Sequence, residues 1–162
     1  MAPRILIVDD DPDMLELLRL TLIEAGFSIS TAGTGEEGLR MAQRSPPDLM
    51  VLDLLLPRMN GFSVCEQLRR NPSTASLPVL MITVLPGEFP RLVGIEAGVN
   101  AYLSKPFRME AFVSCVGDLI GRVGAASEVL GVPPDLATSE AFPILPETHA
   151  ASGALHSLSS EA

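Results

Sequence analysis

Five short strand-like runs, four of them apolar and closed by a polar or charged residue and each followed by a helix-like segment, restrict this chain more than any other feature. Arg4–Val8 (RILIV) runs into Asp9, Asp10 and Asp11. Residues 27–31 form a second run, and residues 49–52 a third that stops at Asp53. Residues 78–83 (PVLMIT) end in the hydroxyl of Thr83, and residues 100–103 lead into Ser104, Lys105 and Pro106. Short apolar runs without clear alternation read as strands buried on both faces.

The segments between them read as helices. Pro12 suits a first helical turn, Asp11 its N-cap and Asp13 the positive end of the helix dipole. Met14, Leu17, Leu18, Thr21 and Leu22 form the expected inner face, and Gly26 closes the helix. Further helices are expected over Gly35–Arg44, 62–70, about 90–97 and 108–123. The fourth is short because Pro86, Gly87, Pro90 and Gly94 all weaken it. Five strand–helix repeats predict an α/β fold, a parallel sheet covered on both faces. Right-handed crossovers and five strands suit the doubly wound order 2-1-3-4-5.

That order makes the first and third strands neighbours. Asp9, Asp10 and Asp53 then gather at the carboxyl edge, where open α/β sheets bind ligands, with Thr83 and Lys105 arriving from the other side. Asp11 and Asp13 have structural roles, but Asp9 and Asp10 would repel each other unless something cationic sits there. Clustered carboxylates favour a hard divalent cation such as Mg²⁺. Beside it, Asp53 is ionised and can attack phosphorus as a carboxylate nucleophile. The ammonium of Lys105 and the hydroxyl of Thr83 are donors such a transfer needs. Any one of these residues alone has an ordinary structural explanation; their joint placement at four strand ends does not.

The motifs VDDDP (8–12), PDLMVLD followed by P.MNG (47–61), MIT (81–83), EAG (96–98) and YLSKPF (102–107) resemble the receiver domain of two-component response regulators. The resemblance covers roughly residues 3–123. It implies the flavodoxin-like (βα)5 fold; the strand order is that of the family's chemotaxis member and is partly carried over from it. It implies that Asp53 accepts a phosphoryl group from a phosphohistidine on a sensor histidine kinase or histidine phosphotransfer protein. Asp10, Asp53 and the backbone carbonyl of Leu55 would ligate Mg²⁺, with Asp9 acting directly or through water. Thr83 and Lys105 would hold phosphoryl oxygens. Thr83 and Tyr102 would be the switch residues, remodelling the face of the fourth helix, fifth strand and fifth helix. A cis bond would join Lys105 to Pro106. The expected function is a signalling switch whose only catalysis is its own phosphorylation and dephosphorylation.

Gly33-Thr34-Gly35-Glu36-Glu37-Gly38 matches a dinucleotide-binding fingerprint. Charge argues against that reading, because Glu36 and Glu37 stand where a pyrophosphate would meet the helix N-terminus. Val84 replaces the small residue common after the switch threonine, and would narrow the route to Asp53. Leu55 and Leu85 occupy positions that in the family tune hydrolysis of the phosphoaspartate. Both are apolar, so neither orients a water, and a long-lived phosphoryl group is expected.

The net charge of −9 argues against direct nucleic-acid binding. Met1 leading directly into a strand suggests no signal peptide, no run is long enough to span a bilayer, and Cys65 and Cys115 read as free thiols of a cytoplasmic protein. Residues 1–123 are expected to form one domain. Residues 124–162, without Lys or Arg and rich in Ala, Ser and Pro, read as a mostly disordered acidic tail with a brief helix near 127–130. His149 and His156 read as solvated. So short and acidic a tail is not a DNA-binding or catalytic output domain, so output is expected through contact with a downstream protein. The alternatives are the receiver portion of a longer hybrid kinase or regulator, and an unswitched receiver-like binding module.

Overall fold

The computed structural model describes residues 1–85, 89–124 and 141–143. Strands β1 (Arg4–Val8), β2 (Ser28–Ala32), β3 (Leu49–Asp53), β4 (Val79–Thr83) and β5 (Ala101–Ser104) alternate with helices α1 (Pro12–Glu24), α2 (Gly35–Arg44), α3 (Gly61–Arg70), α4 (Phe89–Ala97) and α5 (Met109–Gly124). All five strands pair in parallel, in the order β2-β1-β3-β4-β5. The expected doubly wound fold is therefore present, its boundaries shifted by a residue or two.

Alternation within each strand divides the core in two. Leu6, Val8, Met50, Leu52, Val79, Met81 and Tyr102 face Val64, Cys65 and Leu68 of α3. Ile5, Ile7, Leu49, Val51, Leu80, Ile82 and Leu103 face Leu18 and Leu22 of α1 and Phe112 and Val116 of α5. Both cysteines are buried, and burial pushes the Cys65 thiol up to about 11.

Capping follows the sequence. The Asp11 carboxylate accepts from the N–H groups of Asp13 and Met14, and Asn60 caps α3 through Ser63 N–H. Gly26 and Gly98, just beyond α1 and α4, take positive φ of 99° and 88°. Arg69 ties α3 to the α4–β5 turn, donating to the Gly98 carbonyl at 2.7 Å and Asn100 Oδ1 at 3.0 Å.

One expectation needs correction. Leu17, assigned to the inner face of α1, is 46% exposed, while Leu15 packs on the core. A periodic pattern on a helix this apolar does not fix which of two nearby leucines, Leu15 or Leu17, turns inward. Within residues 124–162, Ala141–Pro143 forms β6, antiparallel to β5. An outer β5 would leave one row of backbone groups unpaired, and β6 supplies partners for it. The helix expected near 127–130, and His149 and His156, lie outside the described residues.

Candidate functional site

The carboxyl ends of β1, β3, β4 and β5 converge as topology requires. Asp9, buried at 2% exposure, follows β1, and Asp53, at 7%, ends β3. Asp10, beside Asp9, is exposed. Carboxylate oxygens of Asp9, Asp10 and Asp53 lie within 4.8 Å of one another. Thr83 ends β4 fully buried, and its Oγ1 accepts from Leu85 N–H at 3.0 Å. Lys105 leaves β5 through a cis bond to Pro106. Its ammonium donates to Asp53 Oδ2 at 3.2 Å and Asp9 Oδ2 at 3.4 Å.

Backbone donors hold the carboxylates in place. Asp9 Oδ1 accepts from Asp11 N–H at 2.9 Å, and Asp53 Oδ1 from Leu55 N–H at 3.1 Å. Burial, and then the charge of Asp9, raise the Asp53 carboxyl above its ordinary value; Lys105 and Leu55 N–H oppose them. Burial pulls Lys105 down, but the charges of Asp53 and Asp9 outweigh it and raise it. The centre is thus short of positive charge. Its all-oxygen donor set of three carboxylates fits a hard divalent cation such as Mg²⁺.

Tyr102 points away from this cluster into the α3 side of the core and is buried. Leu55, Val84 and Leu85 stand at the mouth of the site, 46%, 56% and 38% exposed. Val84 also lines an apolar pocket of about 360 Å³ with Met14, Lys105, Pro106, Phe107 and Met109. Sequence reasoning missed this pocket; Phe107 and Met109 directly after the Lys-Pro pair were the available signal. Gly61, the last residue of the P.MNG motif, has a packing role that the sequence does not show. A Cβ there would stand 2.8 Å from the Asp53 carbonyl, 2.8 Å from Met81 Sδ and 2.9 Å from Leu54 Cα.

Two of the three dinucleotide-like glycines have packing roles instead. A Cβ on Gly38 would meet Val8 at 2.6 Å, and one on Gly35 the Met59 carbonyl at 2.8 Å. Thr34 caps Glu37 N–H, and Glu37 Oε2 accepts from Gly33 N–H, so a carboxylate fills the position a phosphate would take.

Fold and site together define a doubly wound α/β signalling domain with an acidic centre and an apposed lysine. Residues 5–116 match the response regulator receiver domain family, and the chain belongs to it, within two-component signalling. It is 42% identical over 120 residues to the DNA-binding dual master transcriptional regulator RpaA of Synechocystis sp., covering 74% of this chain and 50% of that protein. It is 41% identical over 107 residues to the alkaline phosphatase synthesis transcriptional regulatory protein PhoP of Bacillus subtilis, covering 66% and 44%. The chain thus spans about half or less of these relatives. The structure of chemotaxis protein CheY4 from Vibrio cholerae matches with a TM-score of 0.71 at 28% identity, over 74% of this chain and 99% of that one. The signal receiver domain of a signal transduction histidine kinase from Syntrophus aciditrophicus matches at 0.71 and 30%, over 81% and 98%. Among the described residues, no helix is long and apolar enough to cross a membrane.

Proposed function

We propose that the domain is a Mg²⁺-dependent phosphorylation switch in which Asp53 is the acceptor. The donor is the phosphohistidine of a sensor histidine kinase or histidine phosphotransfer protein. One Asp53 carboxylate oxygen forms the bond to phosphorus, the P–N bond breaks, and its electron pair leaves with the imidazole. Asp10, Asp53 and the Leu55 carbonyl, with Asp9 close by, would hold a Mg²⁺ ion, which would supply positive charge toward the phosphoryl oxygens. The observation that carries this reading is the 3.2 Å contact of the Lys105 ammonium with Asp53 Oδ2 beside two further carboxylates. Lys105 exchanges a carboxylate oxygen for a phosphoryl oxygen, and Thr83 releases Leu85 N–H to donate to another. Thr83 and Tyr102 then alter the α4–β5–α5 face, which a downstream protein reads. The net charge of −9 supports protein rather than nucleic acid as the direct partner. The domain boundary is read at residue 123, with cytoplasmic location.

A second reading, the receiver portion of a longer regulator or hybrid kinase, is favoured by one observation: the match extends over only 50% of RpaA and 44% of PhoP.

Intact mass after incubation with Mg²⁺ and acetyl phosphate tests the proposal. One added phosphoryl group, lost without Mg²⁺ and in Asp53→Ala, is expected. If the wild type gains nothing, Val84→Ala is treated alike: uptake there assigns a closed route to small donors. Silence in both overturns the switch and favours a constitutive binding module.

A further inference from the structure

The one described element that the five-stranded unit does not require is β6. Without it β5 is the outer strand, and the N–H and C=O groups on its far side have no ladder partner. Ala141–Pro143 lies antiparallel on that side, in register Leu103↔Ala141, Tyr102↔Phe142 and Ala101↔Pro143, and also lies against α5. Pro143 has no N–H, so the edge that β6 itself presents is blunted against further pairing. A three-residue ladder is marginal by itself, as suits a reversible contact rather than a structural strand.

The covered strand is also the one that leads into the acidic centre. Lys105 directly follows β5. Its N–H donates to the Thr83 carbonyl at 2.7 Å, and its ammonium lies 3.2 Å from Asp53. One four-residue strand therefore has the site at its end and the chain's own later segment along its outer edge.

We propose that Ala141–Pro143 is a built-in ligand of the β5 edge. It covers that side of the domain until a phosphoryl group on Asp53 shifts Lys105 and β5, and then leaves the edge to an extended segment of the downstream protein. The partner would bind by β-strand addition, replacing three short backbone pairings with a longer ladder. Because the covered and open states differ by this short ladder and the contact of β6 with α5, a small shift of β5 is enough to change their populations. The release step rests on the Asp53 acceptor reading; the cover itself does not.

Amide hydrogen exchange at Ala101–Ser104 tests this in the full chain and in the Ala141→Pro/Phe142→Pro double variant. That variant leaves no N–H donor in the strand. Both are measured before and after Mg²⁺ and acetyl phosphate, with intact mass and thermal melting on the same samples. Before any donor is added, the β5 amides facing away from β4 should exchange roughly tenfold faster in the double variant, at unchanged melting temperature. Phosphorylation should bring the wild type to the variant's rates and leave Asp53→Ala unchanged. Equal rates in the wild type and the double variant would overturn the cover. Protection that persists in a wild type carrying its phosphoryl group would overturn the release. Intact mass without phosphoryl gain would instead strike the acceptor reading, and the release with it, while the double variant still reports on the cover.

Discussion

Lys105 and Asp53, 52 residues apart, meet at 3.2 Å because β3 and β5, on either side of β4, deliver both to one sheet edge. The lysine is the only one in the sequence. It also reaches Asp9 at 3.4 Å, so a single ammonium offsets two nearly buried carboxylates.

Removing that ammonium therefore leaves two uncompensated charges. Lys105→Met is expected to lower unfolding free energy at neutral pH by about 1–3 kcal/mol, below the full cost of breaking a buried pair because the site opens to solvent. Adding Asp53→Asn should recover most of the loss. Urea unfolding of the three proteins checks both.

The pH dependence has a definite sign. The folded Asp53 carboxyl sits above the unfolded value of 3.8, so the native state keeps its proton longer than the unfolded chain. Its contribution to stability therefore falls as pH rises from the unfolded value through the folded one. Lys105 is also raised, from 10.5, so its contribution is fully present below that value and is lost only as pH rises through the higher folded one. Relative to Asp53→Asn, the wild type should lose stability as pH climbs out of the ordinary carboxylate range. Millimolar Mg²⁺ should flatten the difference. Thermal melts of both proteins across acidic to neutral pH give the comparison.

Gly61 joins packing to chemistry. A methyl group there meets the Asp53 carbonyl and Leu54 Cα, and backbone cannot move aside as a flexible side chain can. Gly61→Ala should cost about 1–3 kcal/mol. It should slow phosphoryl uptake more than an equally destabilising core change such as Val116→Ala, because it displaces the loop that holds Asp53. Unfolding midpoints and initial uptake rates, taken together, separate the two effects.

At the mouth of the site, Leu55 and Leu85 offer no group that can direct water. Leu55 and Leu85 are half-exposed and apolar. Replacing them with Asn and Gln should shorten the phosphoryl lifetime on the order of tenfold, through positioning of an attacking water. Decay of the phosphorylated mass peak gives the half-lives; equal values would remove the idea of a long-lived phosphoryl group.

Much of this was legible in the sequence because the information is local. Apolar runs ending in Asp9, Asp53 and Thr83 fixed strand ends, and strand order then brought them together. Tyr102 is the contrary case: alone it reads as an edge-strand aromatic, whereas it is 1% exposed, since the even positions of β1, β3 and β5 share one buried face with it. The pocket formed by Met14, Val84, Phe107 and Met109 is assembled from three separate connections, so no single stretch announces it. The β6 pairing was missed for a similar reason. Ala141–Pro143 is short and proline-ended, and only the open edge of β5 gives it a partner.

The most direct test of the central claim is to trap the phosphorylated chain with borohydride and map the product by peptide sequencing. Reductive cleavage of an acyl phosphate converts the acceptor aspartate to homoserine. The account predicts homoserine at position 53 alone, dependent on Mg²⁺ and on phosphodonor. Homoserine at Asp9 or Asp10, or a stable phosphoryl group on His149 or His156 instead, would contradict it.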